Sequence, residues 1–134
     1  MQVFYIKGIN NETIVKTMNS VSKLQVKALT YIEKECNKYL STLEGRIKAV
    51  KTEFKYVRLT PIYVNENTIL IYFASLNNKD ILLINALAIK RIIKDHNKTI
   101  VYFSTEEALE LDVKIQLVNL SFKKALSLEE YMQQ

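Results

Sequence analysis

The chain has 134 residues, 49% of them hydrophobic, with 2 Gly and 1 Pro, a composition that suits one globular domain and excludes two independent cores or an extended disordered region. A single cysteine excludes an internal disulfide framework and fits a reducing compartment, and no apolar run approaches the roughly 20 residues of a membrane span. The net charge of +5 is uneven, because residues 1–105 carry 16 Lys+Arg against 8 Asp+Glu while residues 106–134 carry 3 against 6. A basic body of this kind attracts polyanions, either nucleic acid or an anionic membrane surface.

In chain order, Met1 to Lys7 lacks the charged leader, apolar stretch and cleavage site of a secretory signal, so the expected location is cytoplasmic. Val3-Phe4-Tyr5-Ile6 is a β-prone run closed by Gly8 and Asn10-Asn11, and Thr13 to Val21 supplies a second strand. Leu29, Ile32, Cys36, Leu40, Leu43, Ile47, Val50, Phe54 and Val57 then recur at steps of three and four, the period of an amphipathic helix. This predicts helix from about Leu24 to Val57, with Gly45 as the place where it bends or breaks. The same stepping fits a coiled-coil seam, but in a chain this short a helix covering a sheet is the better reading.

After Pro61 the period becomes that of strands. Pro61-Ile62-Tyr63-Val64, the polar Asn65-Glu66-Asn67 and Thr68 to Ala74 read as a hairpin. Ile81 to Asp95 is a long apolar run ending in basic residues, open between a bent strand and a helix. Thr99 to Phe103 and Leu109 to Val113 are further strands, and Ile115 to Met132 is a closing helix. The expected fold is α+β: an antiparallel β-meander of about four strands with a long N-terminal amphipathic helix and a C-terminal helix, forming one domain over residues 1–134.

One ordered set of motifs stands out. Cys36, Tyr39, Gly45-Arg46 and, after a basic interval, Pro61-Ile62-Tyr63-Val64 are followed by Phe73-x-x-Leu76, Thr99-x-Val101-x-Phe103 and Leu109-Glu110-Leu111. This series, over about residues 24 to 113, resembles the competence transcription factors of the ComK family in order and spacing. Leu43, Ile47, Ala74 and Glu106 stand where that family tends to carry other residues. The resemblance is to a short form lacking the C-terminal extension, and it implies a regulator that binds A+T-rich duplex DNA through the minor groove and phosphates, as a dimer or higher oligomer.

The candidate contacts follow from charge and period. On a helix, Lys48, Lys51, Lys55 and Arg58 fall within about 80° of one another, beside the apolar stripe, so one face packs on the protein and its neighbour meets phosphates. Arg46 projects differently and is the candidate for entering a narrow groove. Lys90, Arg91 and Lys94 form a second basic cluster, read either as an extension of the same DNA-binding surface or as charges that blunt a sheet edge. Tyr39, Tyr56, Tyr63, Tyr72 and Tyr102 could stack on single-stranded bases, although packing roles account for most of them.

Nothing points to catalysis, a metal, a cofactor or a small-molecule substrate. His96 has no Cys or His at ligand spacing, and Cys36 falls on an apolar helix face where a thiol is inert. One alternative to DNA binding remains open: an interaction module that pairs with or antagonises a full-length regulator without activating transcription, docking through the acidic segment from Glu106 to Gln134.

Overall fold

The computed structural model of the protein describes residues 2–134. Strands β1 (Val3–Ile9), β2 (Glu12–Thr17) and β3 (Val21–Leu24) form a meander at the start of the chain. Helices α1 (Ala28–Asn37) and α2 (Leu43–Phe54) cross over to β4 (Ile62–Asn65), β5 (Thr68–Tyr72) and β6 (Leu82–Asn85). Strand β6 then pairs with β1, with Tyr5 opposite Ile84, so two meanders join into one antiparallel sheet of six strands in the order β3-β2-β1-β6-β5-β4. A 3-10 turn at Ala86–Ala88 leads into a second sheet of β7 (Ile89–Asp95), β8 (Lys98–Phe103) and β9 (Ala108–Leu111), and α3 (Ile115–Met132) ends the chain.

Both faces of the large sheet are covered, which is why all five residues of β5 are buried. Alternate side chains go to opposite cores. Ile69, Ile71 and Ile84 face a core shared with Val101, Phe103 and α3, whereas Leu70, Tyr72 and Leu83 face one shared with Ile32, Cys36 and Leu43 of the helices. An irregularity between Val3 and Tyr5 sends Phe4 to the first core, where its ring stacks on Phe103 at 4.7 Å. Asn85 sits at the junction of the two sheets, wholly buried. Its amide nitrogen donates to the carbonyls of Val3 (2.8 Å) and Asn67 (3.0 Å), and its oxygen accepts from the backbone N–H of Ile69 and Leu87.

The expected architecture is corrected on two points. There is no long N-terminal helix and no four-strand meander: three strands precede the first helix, and the sheets have six and three strands. The apolar stripe belongs to two helices whose faces are not continuous, for Leu40 is 97% and Val57 82% exposed. The break falls at Lys38–Thr42, with Leu40 left-handed (φ 57°), and not at Gly45. At the restart, Thr42 accepts from the Gly45 N–H at 2.9 Å, and the Glu33 carboxylate accepts from the Leu43 N–H at 3.1 Å. Both supply acceptors that the first turn of a helix otherwise lacks. The ambiguous run Ile81 to Asp95 is two strands in different sheets, divided by the 3-10 turn.

Candidate nucleic-acid interface

Helix α2 buries Leu43 and Val50, and with Phe54 packed at its far end this leaves Lys48 and Lys51 in solvent. It ends at Lys55, which takes the left-handed conformation (φ 62°) and returns its N–H to the Lys51 carbonyl. A lysine there carries a Cβ in a conformation that suits glycine. Phe54 stacks on Tyr56 at 5.3 Å and meets Tyr131 of α3 edge-on at 5.4 Å, which fixes the exit of the helix. The chain then runs through the exposed Arg58, whose carbonyl accepts from Lys124 at 3.2 Å, to Pro61.

The predicted row of four cations is therefore only partly a helical row. Lys48 and Lys51 lie one turn apart on α2, Lys55 closes the helix, and Arg58 lies beyond it. Lys51 and Arg58 nevertheless meet across one open cleft of about 480 Å³, walled also by Ile47, Leu59 and Phe73 to Asn77. Among the described residues, none of Lys48, Lys51, Lys55 and Arg58 forms an ion pair, whereas Lys16, Lys23, Lys38, Lys90, Arg91 and Lys98 each face a carboxylate. These four cations are therefore without a carboxylate at ion-pair distance among the described residues.

Arg46 is placed otherwise. One guanidinium nitrogen donates to the carbonyls of Tyr63 and Val64, and the group lies over the Tyr39 and Tyr63 rings at 5.4 and 5.7 Å. Half-buried, it ties the first turn of α2 to edge strand β4. The ordered motif Cys36, Tyr39, Gly45-Arg46 and Pro61 to Val64 is thus one structural lock. Cys36 fills the core beneath it, with burial pushing its thiol pKa up, and Gly45 gives its N–H to the Thr42 cap of the helix that aims Arg46 at β4.

Lys90, Arg91 and Lys94 stand on β7 in the second sheet, away from α2 in the chain and on another layer. Lys90 and Arg91 both bind Glu106, and the Arg91 guanidinium lies 4.1 Å from the Tyr102 ring centroid. The candidate aromatics are engaged. Tyr72 donates to the Thr60 carbonyl at 2.7 Å, Tyr56 lies between Phe54 and Lys124, and Tyr39, Tyr63 and Tyr102 lie under arginines. Sequence reasoning missed Glu106 as a partner of the second cluster; its place in the polar turn that closes the strand following the basic run was the available signal.

A basic α+β protein with an open cationic edge on a braced helix has the electrostatic footprint of the nucleic-acid-binding class. The family model described as ComK protein matches residues 3–134, nearly the whole chain, and the chain belongs to the ComK family. This is a family of competence transcription factors, which bind DNA and are not enzymes. No curated protein sequence and no solved structure matches the chain. No helix among the described residues is long and apolar enough to cross a membrane.

Proposed function

We propose that residues 1–134 act as one DNA-binding domain that grips A+T-rich duplex DNA in the cytoplasm through the edge formed by Lys48, Lys51, Lys55 and Arg58. The observation that carries this reading is the cleft shared by Lys51 and Arg58, with Lys48 one turn away and no carboxylate paired to any of them among the described residues. Phosphates neutralised by these cations release counterions, so binding weakens steeply with salt. Arg58, exposed and free of the helix, is the side chain assigned to the minor groove, where A+T-rich sequence is narrow and most negative. Arg46 supports the edge from behind, with one guanidinium nitrogen bonded to two carbonyls of β4. Lys90, Arg91 and Lys94 act as a secondary phosphate surface, and a dimer or higher oligomer spans repeated half-sites.

Electrophoretic retardation of A+T-rich and G+C-rich duplexes at two salt concentrations tests the reading, with light scattering giving the mass of the complex. Tighter retention of the A+T-rich duplex, lost in Arg58→Ala, is expected. Equal and salt-insensitive retention of both duplexes would sink it.

A further inference from the structure

The contacts of Glu106 depend on two local departures from regular backbone. In a regular strand, consecutive side chains leave opposite faces, so Lys90 and Arg91 could not both reach one carboxylate. The register shift between Ile89 and Arg91 against β8 is a bulge, which brings both cations to the same side. Opposite them, the β8–β9 turn is closed by the Glu106 N–H donating to the Phe103 carbonyl and by the Phe103 N–H donating to the Glu107 carbonyl, both at 2.9 Å. Glu106 itself is left-handed, with φ 67°, a conformation that costs a residue with a Cβ and favours glycine. Its carboxylate binds Lys90 through one oxygen and Arg91 through the other, at 2.8 Å for the arginine.

The cations it holds are arranged as a phosphate would use them. The Arg91 guanidinium lies on Tyr102, which limits its rotamers, and Lys90 is exposed beside it on the same strand. The hydrogen bond from Lys90 holds the Glu106 carboxyl below its usual pKa, so it stays charged at neutral pH.

We propose that β7 carries a second phosphate-binding surface, made of Lys90 and Arg91, and that Glu106 masks it by occupying both cations in place of a phosphate of the same duplex. This rests on the DNA-binding reading given above and adds to it an internal competitor. The pairs are exposed, and exposed ion pairs exchange readily with other anions. A phosphate therefore displaces Glu106 at a cost, and the protein binds DNA less tightly than its cations allow.

Glu106→Gln keeps the shape and removes the charge, and Glu106→Gly also relieves the left-handed conformation, so at least one variant is expected to fold normally. Both are compared with the wild-type protein on an A+T-rich duplex across a salt series and on immobilised heparin, a polyanion without bases. Each variant is expected to bind the duplex roughly threefold to tenfold more tightly at moderate salt, to steepen the salt slope by about one to two, and to leave heparin at higher salt. Adding Lys90→Ala and Arg91→Ala to Glu106→Gln should abolish the gain. Unchanged slope and elution overturn the masking, and so does a gain that survives loss of both cations, since it would then be a general effect of net charge. If the heparin shift appears but no form binds duplex, the masking stands and the DNA-binding reading falls.

Discussion

The Arg46 guanidinium donates to the Val64 carbonyl at 2.7 Å, and the same nitrogen reaches the carbonyl of Tyr63. Strand β4 is an edge, and its pairing with β5 is irregular between Tyr63 and Asn65, so these carbonyls would otherwise be open to another strand. The contact joins the start of α2 to the sheet and blunts that edge. Arg46→Ala is expected to cost about 2–3 kcal/mol in urea unfolding, from two charge-assisted bonds in a half-buried setting. Arg46→Lys should recover less than half, since an ammonium neither forks nor stacks as a guanidinium does. DNA affinity per folded molecule should hold; a loss of affinity at unchanged stability would make Arg46 a DNA contact instead.

The two glycines are needed to different degrees. A Cβ on Gly8 would lie 2.4 Å from the Lys79 carbonyl oxygen, a backbone atom held by the bond from Gly8 N–H to the Ile81 carbonyl, so the chain itself must shift. Gly8→Ala is expected to cost about 2–3 kcal/mol. A Cβ on Gly45 would meet only the Thr42 hydroxyl oxygen, at 2.8 Å. There the gain of about 1 kcal/mol from alanine in a helix offsets the loss of about 1 kcal/mol of cap, and Gly45→Ala should be near neutral in thermal unfolding.

That contrast marks what the sequence could and could not tell. A glycine inside an apolar stripe reads as a helix breaker, yet the break was written in Ser41-Thr42 before Leu43, a cap signal, and in the Glu33 carboxylate that reaches the same turn. The period of three and four survived the break because each helix buries its own stripe: Ile32 and Cys36 in one, Leu43 and Val50 in the other. The hairpin after Pro61, the α+β class and the range of the last helix were legible because their patterns are local. Pairing of β6 with β1 was not, since it joins residues some eighty positions apart and leaves no local trace. For the site, the exposed cations of α2 followed from period alone, whereas the inward turn of Arg46 and the pairing of Lys90 and Arg91 with Glu106 depend on tertiary contacts.

The salt dependence of DNA binding should separate the two cationic surfaces. Lys51→Ala with Arg58→Ala removes both cations of the shared cleft and is expected to flatten the slope of log K against log salt by about two. Lys90→Ala with Arg91→Ala should change it by less than one, because Glu106 already occupies those cations. The reverse order in a salt titration would move the main interface to the second sheet.

Tyr72 gives a pH-dependent signature. Burial pushes its pKa up from 10.0 to about 12, and its hydroxyl donates to the Thr60 carbonyl at 2.7 Å. The raised value means that the folded state favours the neutral phenol. Its contribution is complete below the unfolded pKa of about 10 and is lost as pH rises through about 12. Tyr72→Phe should cost about 1 kcal/mol at neutral pH through the lost hydrogen bond. Between pH values of about 10 and 12 the wild-type advantage should shrink and then reverse, and denaturant titrations of the two proteins across that range check it.

Asn85 is the residue on which the two sheets turn, and four hydrogen bonds use its whole amide: two donated to Val3 and Asn67, two accepted from Ile69 and Leu87. Each partner is backbone, and the site is fully buried, so removing the amide leaves main-chain groups without water to replace it. Asn85→Ala is expected to cost about 3–4 kcal/mol, more than a cavity of that size alone. Asn85→Asp should be worse, because the carboxylate loses both donors and faces the Val3 and Asn67 carbonyls as an unpaired buried charge. Hydrogen exchange tells where the damage falls: protection should drop at Ile69 and Leu87 together, while α1, packed on the other face of the sheet, keeps its protection until global unfolding. Equal loss across all elements at low denaturant would mean that Asn85 supports overall stability without organising the junction.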